Sequence, residues 1–209
     1  MNEEELTLVK RTFMWGVVVA AVALAVFFIA QAFAVPASAA DPAAKGGPAG
    51  HKFVGVATCG MCHKSEATGN QLKVWQESKH AKAFATLGTK EAKAIAEKAG
   101  VKGDPQKEPQ CVKCHVTAFG VDASMLGEKF KMEDGVQCEA CHGPGADYKA
   151  IKTMKDKKAA IDAGLVIPDE KTCRTCHNEQ APTFKGFDFK ERLSKIVHKR
   201  PAKKEAPAK

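Results

Sequence analysis

The chain has 209 residues, and its 32 Lys and Arg outnumber its 24 Asp and Glu, which gives a formal net charge of +8. The lysines are dispersed, and many lie at helical spacing from Glu or Asp instead of clustering with aromatic residues. This pattern excludes a typical nucleic-acid-binding surface and indicates a solvated basic face. The length allows one folded domain with appendages.

The N-terminal residues differ in composition from the rest of the chain. Residues 13–30 carry no charge, follow two basic residues, and lead to the small-residue pattern Ala-Ser-Ala at 37–39. The pattern predicts that residues 1–39 are a signal peptide or an N-terminal membrane anchor formed by residues 13–35. In both cases we expect the remainder to be exported to the periplasm. The sequence has no second comparable apolar stretch, which excludes a multi-spanning membrane protein.

The segment after this leader is rich in Ala, Gly and Pro, and it contains His51. Such a composition predicts a flexible linker over residues 40–52. We expect the folded domain to cover residues 53–200 and the Lys/Ala/Pro-rich residues 201–209 to form a disordered tail.

All eight cysteines occur in pairs separated by two residues, and a histidine follows every pair directly. The four runs are CGMCH at 59–63, CVKCH at 111–115, CEACH at 138–142 and CRTCH at 173–177. Disulfides, zinc ribbons, thioredoxin-like pairs and iron–sulfur clusters all use paired cysteines, but none of them requires the adjacent histidine. Cys-x-x-Cys-His is the attachment signature of haem c, so the predicted cofactors are four covalently bound haem c groups.

In this chemistry the two thiols bond to one edge of the haem and the adjacent histidine ligates its iron. The predicted haem-attaching cysteines are Cys59, Cys62, Cys111, Cys114, Cys138, Cys141, Cys173 and Cys176. The predicted iron ligands in these motifs are His63, His115, His142 and His177. Four macrocycles would supply most of the interior of a chain with only 7% aromatic residues.

Three histidines remain for the second axial positions. His80 lies in residues 72–87, where apolar residues recur near helical spacing until Gly88, and this pattern predicts a helix that presents His80 to a haem. His198 follows a second predicted helix, residues 189–197, with Asp188 and Glu191 placed as a capping box. His51 is the third candidate.

Three histidines cannot complete four irons. One iron must be open, carry a methionine, or take a ligand from another subunit, which would imply self-association. Met154, in a predicted helix over residues 147–163, is the first methionine candidate, followed by Met132 and Met125.

Two other segments contain no candidate ligand from the histidines. The pattern of residues 91–98 predicts a short exposed helix, and that of residues 121–134 predicts a surface loop.

The motifs together resemble a known family. TCGMCHKSEATGNQLKVWQESKHAKAFATL, CVKCHVTAFG, GVQCEACHGPG and KTCRTCH followed by FDFKERLSKIVH are similar to the tetrahaem cytochrome c-554 family, known for accepting electrons from hydroxylamine oxidoreductase. The resemblance covers nearly all of residues 53–198. It implies a mostly α, single multihaem cytochrome c domain, with short helices and loops wrapped around four closely spaced haems.

The resemblance also implies a ligand set. It places His80 opposite His142 and His198 opposite His63, and it leaves the iron on His115 open. For the iron on His177 the family's histidine is replaced by Lys152, so Met154 or His51 would compensate, or that iron would also be open.

Two functions follow from these expectations. The first is a periplasmic electron carrier that exchanges electrons with redox partner proteins and does not bind nucleic acid. The alternative is a reductase of small nitrogen oxides acting at an open iron on His115. The motifs contain no Cys-x-x-Cys-Lys site and leave no histidine for acid–base work there, which favours the carrier.

Overall fold

The computed structural model describes residues 50–198, which form short helices joined by loops. The α-helices of this part of the chain are α1 Val56–Gly60, α2 Gln71–Glu77, α3 Ala83–Leu87, α4 Lys90–Lys98, α5 Pro109–His115, α6 Cys138–His142, α7 Ile151–Met154, α8 Lys157–Asp162, α9 Glu170–Arg174 and α10 Phe189–Ser194. Three 3₁₀ turns lie at Glu66–Thr68, Ala123–Met125 and Met132–Asp134. Between residues 50 and 198, β pairing is limited to one isolated bridge, Phe53 with Leu126. The predicted mostly α class is therefore confirmed.

The predicted leader (residues 1–39), most of the predicted linker and the predicted tail (residues 201–209) lie outside the described residues. Within residues 50–198, no helix has both the length and the apolar character needed to cross a membrane.

The predicted helix over residues 72–87 is wrong as a single element. The structure has two helices, α2 and α3, separated at Ser78, whose backbone is extended. The Ser78 hydroxyl donates to the Trp75 carbonyl at 2.7 Å and accepts from the His80 N–H at 3.2 Å. These local bonds replace helical ones, as serine side chains often do. His80 consequently lies in the turn between the helices.

The predicted helix over residues 147–163 is also divided. α7 ends at Met154, and α8 begins after Asp156, whose carboxylate accepts the N–H groups of Lys158 and Ala159 at 2.9 and 3.1 Å. An aspartate that accepts from the first turn is a strong N-cap, so it starts a new helix here. Met154 is therefore the half-buried last residue of a single turn.

Two other helix predictions agree with the structure more closely. α4 covers Lys90–Lys98, one residue more than expected. α10 begins directly after Asp188 as predicted, because the Asp188 carboxylate accepts the Glu191 N–H at 2.7 Å. Glu191 does not complete the capping box, since its side chain pairs with Lys195. The helix ends at Ser194, so His198 lies beyond it.

The apolar core of the described polypeptide is small. Its buried cluster comprises Leu87 of α3 with Val112 and Val116 of the α5 region, and four half-buried side chains pack around them: Phe84, Cys111, Phe119 and Met132. This cluster packs α5, which carries the second attachment motif, against the helix that follows His80.

The predicted surface loop, residues 121–134, is tied to the segment before α1. The Gly127 N–H donates to the Phe53 carbonyl at 2.7 Å, and the rings of Phe53 and Phe130 meet edge to face with their centres 6.1 Å apart. The loop thus supports the entry to the first attachment motif.

Candidate haem sites

The four Cys-x-x-Cys-His motifs lie on or directly after short helices. The second and third motifs lie inside α5 and α6, while the first and fourth begin in α1 and α9 and extend past them. Even there the helical bond continues, because the His63 N–H donates to the Cys59 carbonyl at 3.1 Å and the His177 N–H to the Cys173 carbonyl at 3.0 Å. Helical spacing of three residues places both cysteines of a motif on one face. We number these motifs as sites 1 to 4 in chain order.

Two histidine pairs face each other across the structure. The ring centres of His80 and His177 are 6.1 Å apart at an interplanar angle of 65°. Those of His142 and His198 are 5.9 Å apart at 61°. Each pair combines the histidine of an attachment motif with one that lies outside the motifs.

These separations fit an iron ligated by both rings. With metal–nitrogen bonds of about 2 Å, the two nitrogens lie about 4 Å apart, and each ring centre lies about 1 Å further out, which gives about 6 Å in total. Both observed separations match this value. The paired histidines of sites 3 and 4 would therefore hold iron axially, and the thiols beside them would hold the macrocycle.

The pairing differs from the one implied by the family resemblance. His80 lies opposite His177 and not His142, and His198 lies opposite His142 and not His63. His80 is therefore the candidate second ligand at site 4, where Lys152 replaces the family's histidine. The sites whose second ligand still has to be found are site 1, on His63, and site 2, on His115.

Hydrogen bonds select the tautomer of five histidines. Their Nδ1 atoms lie next to acceptors: His63 to Gln71 Oε1 at 3.3 Å, His115 to the Ala83 carbonyl at 2.8 Å, His142 to the Val166 carbonyl at 3.0 Å, His198 to the Ile196 carbonyl at 3.1 Å, and His51 to the Asp147 carboxylate. A carbonyl or carboxylate oxygen requires the proton on Nδ1, and this leaves Nε2 free as an electron-pair donor. This is the arrangement of metal-ligating histidines in proteins.

Burial lowers the pKa of three of the paired histidines, which favours the neutral form that a metal requires. It lowers the pKa of His80, with a further contribution from neighbouring His177. Burial also lowers the pKa of His142; the hydrogen bond to Val166 opposes this, and His198 and His63 add to it. Burial also lowers the pKa of His177.

A cavity of about 250 Å³ adjoins site 4. The Phe187 ring stacks on His177 with centres 4.9 Å apart, and the Arg174 guanidinium lies 5.4 Å from the centre of the Phe187 ring. Arg192 and Lys185 also line the cavity. An apolar wall with cations at its rim suits a flat macrocycle with anionic propionates.

Comparison with known proteins agrees with this chemistry. Residues 58–143 match the family model described as cytochrome c554 and c-prime. The cytochrome c-554 of Nitrosomonas europaea is 33% identical over 152 residues, an alignment that covers 64% of this chain and 61% of that relative. Residues 58–143 belong to the cytochrome c-554 family. No solved structure matches the chain.

The match implies a c-type cytochrome with covalently bound haem c. The matched residues of the cytochrome c-554 family contain sites 1 to 3. Site 4, at residues 173–177, follows the matched range and is supported by its motif and by the His80–His177 pair.

Sites 1 and 3 are neighbours. The contact between the thiols of Cys59 and Cys138 raises the pKa of Cys59 and lowers that of Cys138. Helix α1 also packs on α6. The attachment edges of the two sites therefore lie side by side.

Buried polar side chains that the sequence reasoning missed join the first three sites. Thr117, Gln137 and Glu139 are only 1–2% exposed. The Glu139 carboxylate accepts the N–H groups of Val54 and Gly55, both at 2.8 Å, and of Gly145 at 2.7 Å. Burial raises the pKa of Glu139, and these three donors oppose the rise. Glu139 thus fixes the entry to α1 against α6.

Gln137 extends this connection on the other side of Cys138. The Gln137 side-chain Oε1 accepts the Val56 N–H at 2.7 Å, and the Gln137 backbone N–H donates to the Thr117 hydroxyl at 2.7 Å. Thr117 follows His115 by two residues, so site 2 joins the same network. We call Thr117, Gln137 and Glu139 the central polar bridge.

The methionine candidates occupy different surroundings. Met132 packs against the apolar cluster beside site 2, Met125 accepts the Phe53 N–H through its carbonyl at 2.9 Å, and Met154 ends α7. Their roles as iron ligands stay predictions.

Proposed function

We propose that this protein is an exported tetrahaem c-type cytochrome that passes electrons between redox partner proteins. The observation that carries the proposal is the series of contacts that links the four attachment motifs through their flanking residues, together with histidine pairs at iron-ligating separation. A carrier needs closely spaced redox groups and no substrate pocket.

Contacts between the attachment segments support closely spaced sites. Sites 1 and 3 meet through Cys59 and Cys138. Site 3 meets site 2 through the central polar bridge. Site 2 meets site 4, because the Lys113 ammonium donates to Gln180 Oε1 at 2.9 Å, and because the segment carrying His80 also supplies the Ala83 carbonyl to His115. Because the Val136 N–H before site 3 also donates to the His80 carbonyl at 3.0 Å, site 4 adjoins both site 2 and site 3, and we expect electrons to cross the domain in steps between neighbouring haems.

The small apolar core of the polypeptide supports the proposal of four haems. Ten apolar residues are buried in residues 50–198, and only three of them form the central cluster, which is a small core for a domain of this length. Four macrocycles attached through eight thioethers would provide the remaining apolar area. When bound, the haems supply the electron-transfer chemistry, and the chain sets each potential through ligand, burial and nearby charge.

The compartment and partners follow from the sequence. Haem c is attached outside the cytoplasm in organisms that export such chains, and residues 1–39 have the composition of a signal peptide or an anchor. The formal charge of +8 favours encounter with an acidic partner, although the propionates would offset part of it.

The proposal is tested by haem analysis followed by a redox titration. Protein purified from a host that attaches haem c should carry four haems per chain and take up four electrons reversibly. It should also exchange electrons with a small acidic redox protein at a rate that falls as salt rises. A protein that cannot be reduced and reoxidised reversibly would contradict the carrier function.

A reductase acting on nitrogen oxides is the second candidate function, and the surroundings of site 2 support it. His115 is fixed by the Ala83 carbonyl, and among the described residues its ring does not belong to either facing histidine pair. If site 2 is open, nitric oxide or cyanide should change one haem spectrum, and nitrite or nitric oxide should support turnover. Unchanged spectra in the native protein would exclude this activity.

A further inference from the structure

His51 and Asp147 form a dyad that connects the segment before α1 to the loop after site 3. His51 Nδ1 and the Asp147 carboxylate are in hydrogen-bonding contact. The neighbouring backbone holds the dyad together, because the Ala146 N–H donates to the Lys52 carbonyl at 3.1 Å. The His51 ring also lies against Gly164, where an added β-carbon would be 3.7 Å from the ring.

A carboxylate on Nδ1 prepares a histidine to act as a ligand. The carboxylate takes the Nδ1 proton as its hydrogen-bond partner, so Nε2 keeps its lone pair, and the ring becomes a stronger donor toward a metal. His51 shares this feature with the attachment histidines His63, His115 and His142, whose Nδ1 atoms also face acceptors. In His51 the acceptor is charged, which makes its effect the strongest of the four.

Elimination restricts which iron His51 could serve. The irons of sites 3 and 4 already have facing pairs, His142 with His198 and His177 with His80. Sites 1 and 2 remain. The described surroundings of His115 at site 2 come from α3, α5 and Met132.

Position points to site 1. The loop that touches His51 continues to Val166, whose carbonyl accepts from His142 Nδ1. Tyr148, adjacent to Asp147, donates its hydroxyl to the Gly143 carbonyl at 2.7 Å, directly after His142. Helix α1, in which site 1 begins, packs on α6, which carries site 3. Val54, three residues after His51, binds Glu139 beside Cys138. The dyad therefore belongs to the side of the domain that holds sites 1 and 3.

We propose that His51, held by Asp147, is the second axial ligand of the haem iron on His63. Asp147 is then a positioning residue that fixes the tautomer and orientation of His51. This inference rests on the proposed function, because it requires a haem at Cys59 and Cys62. It also replaces the expectation that His51 compensates at site 4.

The test compares His51→Ala with the wild type by electron paramagnetic resonance and optical spectroscopy of the haem-loaded protein. The number of high-spin haems should rise by one, and added imidazole should restore the low-spin state. An unchanged number of high-spin haems, with four haems still attached, would overturn the ligation.

His51→Met provides a second variant that keeps an iron ligand in place. Methionine can ligate haem iron and raises its potential. We expect a sulfur-to-iron charge-transfer band and a higher potential for one haem. If neither appears in protein that carries four haems, His51 does not reach an iron.

Asp147→Asn tests the positioning role. Losing the carboxylate weakens electron donation by His51, so the reduction potential of one haem should rise while the haem count stays at four. Asp147→Glu should restore the potential. Asp162→Asn is the matched control, because it removes a carboxylate that pairs only with surface Lys158. Equal potentials in Asp147→Asn and the control would overturn the role of Asp147.

Failure of the inference can be told apart from failure of the proposed function. Wild-type protein with fewer than four haems contradicts the tetrahaem proposal itself. Four haems with unaltered spin states in the variants contradict only the assignment of His51.

Discussion

Replacing Glu139 should destabilise the domain more than any exposed carboxylate does. The carboxylate is 2% exposed and accepts three backbone N–H groups, from Val54, Gly55 and Gly145. Glu139→Ala leaves three buried donors without this acceptor. At about 1–3 kcal/mol for each unsatisfied donor, the free energy of unfolding should fall by about 3 kcal/mol or more.

Glu139→Gln should have a smaller effect, because the two oxygens of Glu139 have different partners. Oε1 accepts from Val54 and Gly145, and Oε2 accepts from Gly55. A glutamine can keep its oxygen toward Val54 and Gly145 but then presents an amide donor to the Gly55 N–H. The loss of one bond of three should cost about 1–3 kcal/mol.

Equilibrium urea unfolding of the haem-loaded proteins, followed by far-ultraviolet circular dichroism, measures these differences. Glu97→Gln, at an exposed position of α4, is the control and should change the free energy by less than about 0.5 kcal/mol. A cost below about 1 kcal/mol for Glu139→Ala, with the haem count unchanged, would refute the structural role of the central polar bridge.

Three further predictions concern ligation and backbone geometry. His80→Ala should convert one low-spin haem to high-spin, because it removes the ring that faces His177; an unchanged spectrum would mean that His80 does not ligate iron. Met154→Leu should leave the visible and near-infrared spectra unchanged, because site 4 already has a histidine pair, and loss of a sulfur-to-iron band would contradict this. Gly55→Ala should lower the free energy of unfolding by at least about 2 kcal/mol, because φ is +81° and the new β-carbon would lie 2.6 Å from a backbone oxygen. Gly186→Ala, at φ +98° with nothing within 4 Å, is its control and should cost about 1 kcal/mol in thermal or urea unfolding.

The attachment sites and the fold class could be predicted from the sequence because both are local properties. A Cys-x-x-Cys-His run is a complete chemical unit, and the start of α10 is encoded by Asp188 as its cap. His80 and His198 could be selected as candidates because they sit beside apolar segments. The structure places both opposite attachment histidines, at the separation that iron ligation requires.

The histidine partners could not be predicted from spacing, because they depend on how distant segments pack. His80 and His177 are 97 positions apart in the chain, and no periodic pattern connects them. The resemblance implies other partners, and the ring geometry in the structure differs from it. The break at Ser78 was missed for a different reason: the apolar spacing of residues 72–87 continues through it, while one hydroxyl takes over the local hydrogen bonds.

The central polar bridge and Asp147 gave no recognisable signal in the sequence. Glu139 occupies a variable position of the Cys-x-x-Cys-His motif, where a charged side chain would ordinarily face solvent. Only the structure shows that it is buried among backbone donors. Asp147 similarly looks like a surface residue until the chain brings His51 to it across 96 positions.

The number of haems and their spin states test the central claim most directly. Mass spectrometry of the intact denatured protein, combined with electron paramagnetic resonance of the native oxidised form, measures both. We expect four haems attached through the eight cysteines, with low-spin signals from at least the irons on His142 and His177. The account would be contradicted if protein produced in a host that attaches haem c carried no covalently bound haem, or if all of its haem iron were high-spin.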